Sequence, residues 1–477
     1  MRLRGLPAVH RILDDPRVAA LVPSVGAGAA KEAANAVLDE VRARQDDNAA
    51  LPTFDSLVDE IVRRLEGAGD AALEPLLNGT GILLHTNLGR APLADEALAA
   101  IASIGGGYSN LEFDLVQGTR GSRYARIGAL LREATGAEDG IVVNNGAAAV
   151  MLVLDTFARG REAIVARGQA VEIGGSFRLP DVVRRSGATL VEVGATNKAY
   201  LRDVECALGP KTGLLLRVHP SNFAIEGFVA EIPPREMAAL GRRVGIPSFE
   251  DLGGGALDDL TGYGIEPQRS VPAAVADGLD LVAFSGDKLL GGPQDGIIVG
   301  RRAAVARLRA NPLLRALRVG KDTLAALAAT LHLHADPRTR MRIPLYAMLA
   351  ATLDELRTRA ERLVAALDGA PASSIVALHG YLGGGTAPRS RIASLGLAIE
   401  PAAGDPNALA GRARRTRPAL VGRVEGRAFV VDLRTIPPAA DARLLQALLA
   451  LRGDYRECTF SEPRVTSITE SRRSFAR

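Results

Sequence analysis

The sequence predicts an α/β protein with a mainly parallel central sheet, a small helical domain before it and an α+β domain after it. Three observations predict this fold class. Apolar residues recur at helical spacing in residues 29–44 and 54–65. From residue 79, short apolar segments alternate with helical patterns, which is typical of a parallel sheet covered on both faces. A helical pattern at 345–367 then precedes further short strands.

The pattern divides the chain into three predicted domains, 1–72, 73–343 and 344–477. With 477 residues, the chain is long enough for two or three domains. The middle domain has predicted strands at 140–143, 162–165, 189–193, 212–218, 246–250 and 281–284. The last domain has predicted strands at 393–399, 419–424 and 428–433, followed by a helix at 439–451.

Composition narrows the class of protein. The chain is 47% hydrophobic and 23% charged, an ordinary globular balance. No apolar run reaches the ~18 residues that would predict a membrane span, and the N-terminus lacks the apolar core of a secretory signal. Cys206 and Cys458 are too few for a disulfide framework. We therefore expect a cytoplasmic protein that does not engage a membrane.

Charge is unevenly distributed, although the net charge is only +4. Residues 1–70 carry nine lysines and arginines against twelve acidic residues, whereas residues 301–342 carry ten against two. The second of these segments, the basic block, is where a polyanionic partner is expected.

One lysine stands out among the 58 basic residues. Only five of these are lysines: Lys31, Lys198, Lys211, Lys288 and Lys321. Lys288 alone follows a buried strand, in a glycine-rich loop that leads to a second strand at 297–299. Arginine stays protonated and cannot form a Schiff base, so a lysine kept here suggests a nucleophilic amine. A structural lysine in a tight β-hairpin is the alternative.

Two further features lie at the carboxyl ends of predicted strands, where open α/β sheets bind ligands. Asn145, Gly146, Ala147 and Ala148 join a strand to a helix, and the exposed N–H groups there suit a phosphate. Asp251 ends another strand and could keep a pyridinium nitrogen protonated. An ordinary helix N-terminus and a strand-end cap are the respective alternatives.

Histidine and arginine side chains complete the candidate set. His219 follows a third strand, where it could contact a cofactor or serve a structural role. Arg315 and Arg318 are three residues apart, so they share a helical face that either binds a phosphate-like anion or is simply solvated. No metal site is predicted. Three features follow one another along the chain: a strand with a small-residue loop and helix, a strand with Asp, and a strand with Lys. This order is the layout of a fold-type I pyridoxal-phosphate enzyme.

Specific motifs carry a resemblance to bacterial selenocysteine synthases, the L-seryl-tRNA(Sec) selenium transferases, over almost the whole chain. The matching motifs are His85-Thr-Asn-Leu-Gly-Arg-Ala-Pro-Leu93, Tyr108-Ser-Asn-Leu-Glu-Phe-Asp114, Gly121-Ser-Arg123, Val171-Glu-Ile-Gly-Gly-Ser-Phe-Arg178, Phe284-Ser-Gly-Asp-Lys-Leu-Leu-Gly-Gly-Pro-Gln294 and Asp432-Leu-Arg-Thr435. The opening Leu6-Pro7-Ala8-Val9 also resembles the family.

The resemblance implies a role for each candidate. Lys288 would form the Schiff base with pyridoxal 5'-phosphate, and Asp287 would be the acidic residue beside it. Arg90, Arg315 and Arg318 would bind the substrate anion. The enzyme would convert L-seryl-tRNA(Sec) to L-selenocysteinyl-tRNA(Sec) by β-elimination, through an aminoacrylyl intermediate, with selenium from selenophosphate. The N-terminal domain would bind the tRNA. The resemblance also implies a homo-oligomer built from dimers, which is a decamer in this family.

Two other functions remain possible from the sequence. A related pyridoxal-phosphate ammonia lyase acting on a phosphorylated amino sugar would use the same lysine and an arginine set, but it needs no helical N-terminal domain. A non-catalytic ligand-sensing regulator would need a DNA-reading domain, and the acidic N-terminus offers no basic recognition helix.

Overall fold

The computed structural model describes residues 6–43, 52–68, 73–173, 177–369, 371–401 and 404–452. The chain forms two compact units, Met1–Leu76 and Leu77–Arg477. Residues 174–176, within the Val171–Arg178 motif, and Cys458 lie outside the described residues. None of the described helices is long and apolar enough to cross a membrane.

All the described helices of the first unit lie between residues 9 and 68, as the sequence predicts for this helical region. Its helices are α1 (Val9–Leu13), α2 (Pro16–Ala19), α3 (Val22–Val25), α4 (Ala27–Ala43) and α5 (Phe54–Ala68). The two long helices bury residues spaced three or four apart, such as Ala34 and Leu38 in α4 and Ile61 and Leu65 in α5. These residues, with Ile12, form a hydrophobic core of their own.

The second unit mixes helices and strands. Its helices are α6 (Asp95–Gly105), α7 (Ala125–Thr135), α8 (Gly146–Phe157), α9 (Leu179–Arg185), α10 (Leu201–Ala207), α11 (Pro234–Val244), α12 (Val271–Ala276), α13 (Arg302–Ala310), α14 (Leu313–Leu317), α15 (Lys321–His334), α16 (Pro337–Arg340), α17 (Pro344–Ala350), α18 (Leu353–Leu367), α19 (Pro406–Ala413) and α20 (Asp441–Leu449). Its strands are β1 (Leu76–Asn78), β2 (Ile82–Leu84), β3 (Phe113–Asp114), β4 (Thr119–Arg120), β5 (Asp139–Val143), β6 (Glu162–Ala166), β7 (Glu172–Ile173), β8 (Phe177–Arg178), β9 (Thr189–Val193), β10 (Thr212–Val218), β11 (Ser248–Gly253), β12 (Leu281–Ser285), β13 (Gly296–Gly300), β14 (Ser373–Gly383), β15 (Ile392–Ile399), β16 (Ala419–Val421), β17 (Arg423–Glu425) and β18 (Ala428–Asp432).

A seven-stranded sheet occupies the middle of this unit, in the order β5-β13-β12-β11-β10-β6-β9. Every pairing is parallel except those of β13, which runs antiparallel to both of its neighbours. All residues of β5, β10, β12 and β13 are buried, as expected of strands covered by helices on both faces. The predicted mainly parallel sheet is confirmed.

A second sheet, ordered β17-β18-β15-β14-β2, belongs to the C-terminal region. Strand β2 joins it in parallel with β14, so residues 82–84 pair with a part of the chain 300 residues later in the sequence. Hydrogen bonds of the Asp432 motif stabilise this sheet. Ser394 Oγ donates to the buried Asp432 carboxylate at 2.6 Å. Arg434 donates to the carbonyl oxygens of Met348 and Ala351. The three-domain division of the sequence stays a prediction.

Two details of the predicted C-terminal pattern were wrong. The single helix expected at 345–367 is two helices, α17 and α18, because Thr352 caps a new helix: its hydroxyl accepts from the Glu355 amide, and its own amide donates to the Glu355 carboxylate. The strand expected at 419–424 is likewise two strands, β16 and β17. Strand β14 was not predicted.

Candidate active site

Lys288 lies in the tight loop that connects β12 to the antiparallel β13. The loop is held by its own backbone, since Gly291 N–H donates to Lys288 O at 2.9 Å and Gly292 N–H donates to Gly286 O at 2.8 Å. The lysine is only 6% exposed, and no hydrogen bond to its Nζ is found among the described residues. Burial lowers the pKa of the Lys288 amine, while the charge of Asp251 opposes that shift.

Asp251 faces the same space from the adjacent strand. It pairs with Val218, the last residue of β10, on one side and with Ala283, in the middle of β12, on the other. Strand β11 itself continues to Gly253, so Asp251 lies near the strand end and not at it. Burial raises the pKa of the Asp251 carboxyl to about 6, although the positive charge of Lys288 lowers it. The Leu289 amide donates to Gly254 O at 2.9 Å, so the Asp251 and Lys288 loops are also tied directly.

Arg90 and Asp287 form an ion pair beside the lysine. Arg90 Nη1 lies 2.7 Å from Asp287 Oδ2, and the Asp287 side chain is 8% exposed. Arg90 has a φ of 64°, a left-handed conformation that is unfavourable for a residue with a β-carbon. The Ala91 amide also donates to Asp287 O at 3.4 Å. The sequence placed both residues in the site; their pairing is visible only in the fold.

The start of α8 forms the next wall. Asn145 caps the helix by accepting from the Ala148 amide at 2.8 Å, and the Gly146 and Ala147 amides lie in the first turn, where no intrahelical acceptor exists. A β-carbon on Gly296 would collide with Asn145 O, and one on Gly146 would lie 2.9 Å from Ser285 Oγ. The β13 glycine therefore lets this loop lie close to the lysine hairpin.

His219 lies at the end of β10, beside Asp251. Its amide donates to Asp251 O at 2.9 Å. Burial lowers the pKa of the His219 imidazole, which favours the neutral ring. The histidine is therefore placed where it could contact a ligand held between Asp251 and Lys288.

Arg315 and Arg318 line a separate pocket of about 410 Å³. Its other charged lining residues include Glu112, Arg120 and Arg123. Arg123 Nε lies 2.9 Å from Glu112 Oε1, and Arg318 Nη1 lies 3.8 Å from the same oxygen. We call this the arginine pocket.

The lining of the arginine pocket does not include the residues of the lysine loop. Neither Arg90, Asp251 nor Lys288 lines the arginine pocket. The pocket nevertheless adjoins the α8 loop, because the Asn144 amide donates to Leu317 O at 3.0 Å. Arg315 and Arg318 thus line this pocket and Arg90 does not, and a common anion-binding role for the three arginines stays a prediction.

The residues around Lys288 fit pyridoxal phosphate. The buried amine has the lowered pKa that a nucleophile needs. Asp251 offers a carboxylate for a ring nitrogen, and the open amides of Gly146 and Ala147 suit a phosphate. These groups line one edge of the sheet, at the ends of β5, β10, β11 and β12.

Sequence reasoning missed several residues of this region. Ser285 is buried beside the α8 loop, and its position one residue before Gly286 in the lysine motif could have drawn attention to it. Glu112 and Arg123 stand in quoted motifs without an assigned role. His334 and Tyr346, which bind the backbone after Lys288, lie 46 and 58 positions from it in the sequence and gave no local signal.

The chain matches two protein-family models. The model for L-seryl-tRNA selenium transferase matches residues 76–437, and the model for the selenocysteine synthase N terminus matches residues 3–42. The first match covers most of the chain, including every residue of the candidate active site and of the arginine pocket.

Curated relatives agree with these matches over nearly their whole length. An L-seryl-tRNA(Sec) selenium transferase of Moorella thermoacetica is 47% identical over 458 residues, which cover 94% of this chain and 97% of the relative. The enzyme of the same name from Rhizobium meliloti is 44% identical over 459 residues, covering 95% and 98%. That from Nitratidesulfovibrio vulgaris is 49% identical over 403 residues, covering 83% and 85%.

A solved structure of D-glucosaminate-6-phosphate ammonia-lyase has the same fold. It superimposes with a TM-score of 0.58 over 80% of this chain and 97% of its own, at 20% sequence identity. At that identity the likeness concerns the fold alone.

The raised pKa of Asp251 gives a prediction for the cofactor-free protein. The pKa of Asp251 in the folded protein, about 6, exceeds the ordinary value of 3.8, so the folded state binds this proton more tightly than the unfolded state does. The stability of the folded protein should therefore fall as the pH rises from 4 through 6. A shift of about two units corresponds to about 3 kcal/mol. Asp251→Asn should therefore be more stable than the wild type at pH 8, with little difference at pH 4, as measured by thermal unfolding.

Asp114→Asn is a control of opposite sign. The amides of Gln117 and Val116 lower the pKa of Asp114, so its stabilising contribution is present above pH 4 and is lost in acid. This variant should be less stable than the wild type at pH 8. An Asp251→Asn protein no more stable than the wild type at pH 8 would contradict the raised pKa.

Proposed function

This chain belongs to the L-seryl-tRNA selenium transferase family, and on that premise we propose that it converts L-seryl-tRNA(Sec) to L-selenocysteinyl-tRNA(Sec) with selenophosphate as the selenium donor. It is a pyridoxal-phosphate-dependent transferase. The single observation that carries the proposal is near-full-length identity of 44–47% to enzymes of this name. The Lys288–Asp251 pair supports it independently.

Pyridoxal phosphate, when bound, supplies an electron-accepting ring that stabilises negative charge at the Cα of an attached amino acid. Lys288 is the residue that would anchor it. Asp251 would face the ring nitrogen, His219 would lie beside Asp251, and the Asn145–Ala148 turn would receive the phosphate.

Lys288 is also suited to move a proton. The lysine amine lies in a buried site where desolvation favours its neutral form. A neutral amine can take the proton from the seryl Cα and return it at the end of the reaction. An arginine at this position could not, because its guanidinium stays protonated.

Asp287 and Arg90 act next to that amine. Their 2.7 Å ion pair orients the Asp287 carboxylate, and the Arg90 side chain, which is 29% exposed, keeps other nitrogens to meet an anion. We assign Asp287 to the catalytic group and Arg90 to substrate binding. The seryl hydroxyl would leave Cβ as water, and the selenium of selenophosphate would bond to Cβ while water cleaves the Se–P bond and releases phosphate.

The arginine pocket would hold the phosphate part of selenophosphate. Arg315 and Arg318 lie in it with Arg120 and Arg123, and Glu112 is the one acidic residue among its described lining residues. Arg309 also lines the pocket, although it pairs with Asp139. Five guanidinium groups around one lining carboxylate leave an excess of positive charge. A tetrahedral oxyanion with several acceptor oxygens is the ligand that such a set favours.

The tRNA is the partner that follows from the family, and residues 1–72 are the part of the chain we assign to holding it. The basic block is less available than its sequence indicates, because Arg301, Arg309, Arg340 and Arg342 bind carboxylates of this chain and Lys321 donates to two carbonyl oxygens. We also propose a homo-oligomer built from dimers, with a decamer as the family's form. A cytoplasmic location accords with a charged-tRNA substrate.

The two other functions are not favoured. The solved ammonia-lyase is 20% identical to this chain and shares only its fold. The selenium transferase of Moorella thermoacetica is 47% identical to this chain over nearly its full length. A non-catalytic regulator would not need a lysine with a lowered pKa in a buried site.

Lys288→Ala should abolish both turnover and the covalent cofactor adduct. Wild-type protein mixed with seryl-tRNA(Sec) and selenophosphate should form selenocysteinyl-tRNA(Sec), and borohydride should fix the cofactor to Lys288, as peptide mapping would establish. Lys211→Ala, at an exposed turn, is the matched control and should behave as wild type. A reduced adduct on Lys198, Lys211 or Lys321 would remove Lys288 from this role, and turnover of an amino-sugar phosphate instead of seryl-tRNA would overturn the proposed reaction.

Arg315→Met and Arg318→Met should each raise the KM for selenophosphate about tenfold or more, with the KM for seryl-tRNA(Sec) changed little. Each removes a charged donor while keeping apolar side-chain volume. Arg307→Met is the matched control, because Arg307 belongs to the same basic block but packs on Phe157 outside the arginine pocket. A rise confined to the KM for seryl-tRNA would assign the pocket to the nucleic acid.

Deleting residues 1–72 should remove discrimination between tRNA(Sec) and tRNA(Ser) while leaving the cofactor bound. The truncation retains β1, whose neighbour Gly79 donates to Val421 O in the second unit. Arg17 binds Asp15, Asp55 and Asp59, and Arg64 binds Glu40 and Glu60, so shape and hydrogen bonding should dominate over bulk charge. Binding of both tRNAs at matched salt measures this, and equal discrimination by both proteins would place specificity elsewhere.

A further inference from the structure

The backbone that follows Lys288 is held by two side chains from distant helices. His334, the last residue of α15, has its Nε2 2.8 Å from Leu290 O. Tyr346, in α17, donates its hydroxyl to Leu289 O at 3.3 Å. The carbonyl groups of the two residues after the lysine are thus each bound by a buried ring.

The hydrogen bond determines which nitrogen of the His334 ring acts as a donor. A carbonyl oxygen only accepts, so Nε2 must carry a hydrogen. Nδ1 faces Asp258, whose Oδ2 lies 3.8 Å away and is itself 3.1 Å from Arg340 Nη1. Asp258 and Arg340 therefore surround the far side of the ring with charge and orient it toward Leu290.

Tyr346 is equally constrained. It is fully buried, and the His334 ring meets it edge-on with centroids 5.3 Å apart. Burial raises the pKa of the Tyr346 phenol, so the hydroxyl stays a donor throughout the working pH range. Tyr263 completes the aromatic group at 6.3 Å from Tyr346.

The loop is also packed tightly on the segment that carries Tyr346. A β-carbon on Gly291, which has a φ of 71°, would lie 2.5 Å from Ile343 Cγ2. Leu289, Ile343 and Tyr346 share one hydrophobic cluster with Ala91, the residue after Arg90. The same cluster therefore supports both sides of the Lys288 and Arg90 region.

We propose that His334 and Tyr346 are positioning residues for Lys288, which hold the Leu289 and Leu290 carbonyl groups so that the lysine amine stays directed toward Asp251. The inference rests on the proposed function, in which Lys288 carries the cofactor and moves the Cα proton. A small rotation of these peptide groups would swing the long lysine side chain, so its proton transfer should be more sensitive than binding of the tRNA.

The test compares Tyr346→Phe, His334→Gln and His334→Leu in the full-length, cofactor-loaded protein. Tyr346→Phe removes only the hydroxyl, His334→Leu removes the donor, and His334→Gln can restore an N–H near the Nε2 position. Tyr263→Phe is the matched control, because it makes the same change in the same aromatic group without a hydrogen bond to the loop among the described residues.

Two readouts separate positioning from general destabilisation. The pH titration of the absorbance of the lysine-bound cofactor should shift in Tyr346→Phe and His334→Leu, and kcat should fall about three- to tenfold with the KM for seryl-tRNA(Sec) unchanged. His334→Gln should recover most of both, and Tyr263→Phe should match wild type. Thermal unfolding of each variant identifies any that merely loses stability.

Borohydride mapping in each variant keeps this proposal distinguishable from the proposed function. An adduct on another lysine, or no selenium transfer by the wild type, would overturn the function. An adduct on Lys288 with an unchanged absorbance titration and unchanged kcat in Tyr346→Phe and His334→Leu would overturn the positioning role alone. Equal losses in His334→Gln and His334→Leu would show that the donor is not what matters at this position.

Discussion

The electrostatic coupling of Lys288 and Asp251 is the interaction on which the site depends. Lys288 is buried and Asp251 is partly buried, and removal from water favours the uncharged form of both groups. Each charge partly offsets that cost for the other. The lowered pKa of the Lys288 amine suits a reaction that takes up and returns one proton better than the pKa of a fully solvated lysine would.

The sheet topology makes this coupling possible. Parallel strands β10, β11 and β12 end at one edge, which brings His219, Asp251 and the lysine loop side by side. Strand β13 then returns antiparallel between β12 and β5, so the hairpin that carries Lys288 lies against the start of α8. Glycine at 296 permits this close approach, because a β-carbon there would collide with Asn145 O.

Arginines in this chain serve two different purposes. Some are structural: Arg434 satisfies carbonyl groups of α17 and β15, and Arg359 binds Asp441 and the carbonyl groups of Leu433 and Ile436. Others line the arginine pocket or, like Arg90, have a side chain that stays partly exposed beside Asp287. Composition alone cannot separate these groups, since a guanidinium looks the same in sequence whether its five donors are already bound or free.

The sequence by itself determined the fold class, the parallel sheet and the distinction of Lys288 from the other lysines. These features are local: strands buried on both faces appear as continuous apolar runs, and a lysine surrounded by glycines is visible in a short window. The same holds for the helix start at Asn145 and for Asp251 near the end of a strand. The family motifs implied the roles that we propose for these residues.

Only the tertiary structure decided which side chains meet. Arg90 and Asp287 are 197 positions apart yet form an ion pair. Arg315 and Arg318 line a pocket whose lining residues do not include Arg90. The single helix expected at 345–367 divides at Thr352, where a capping box competes with continuation of the helix. Contacts across such sequence distances depend on register and packing of whole elements, and no local pattern of residues encodes them.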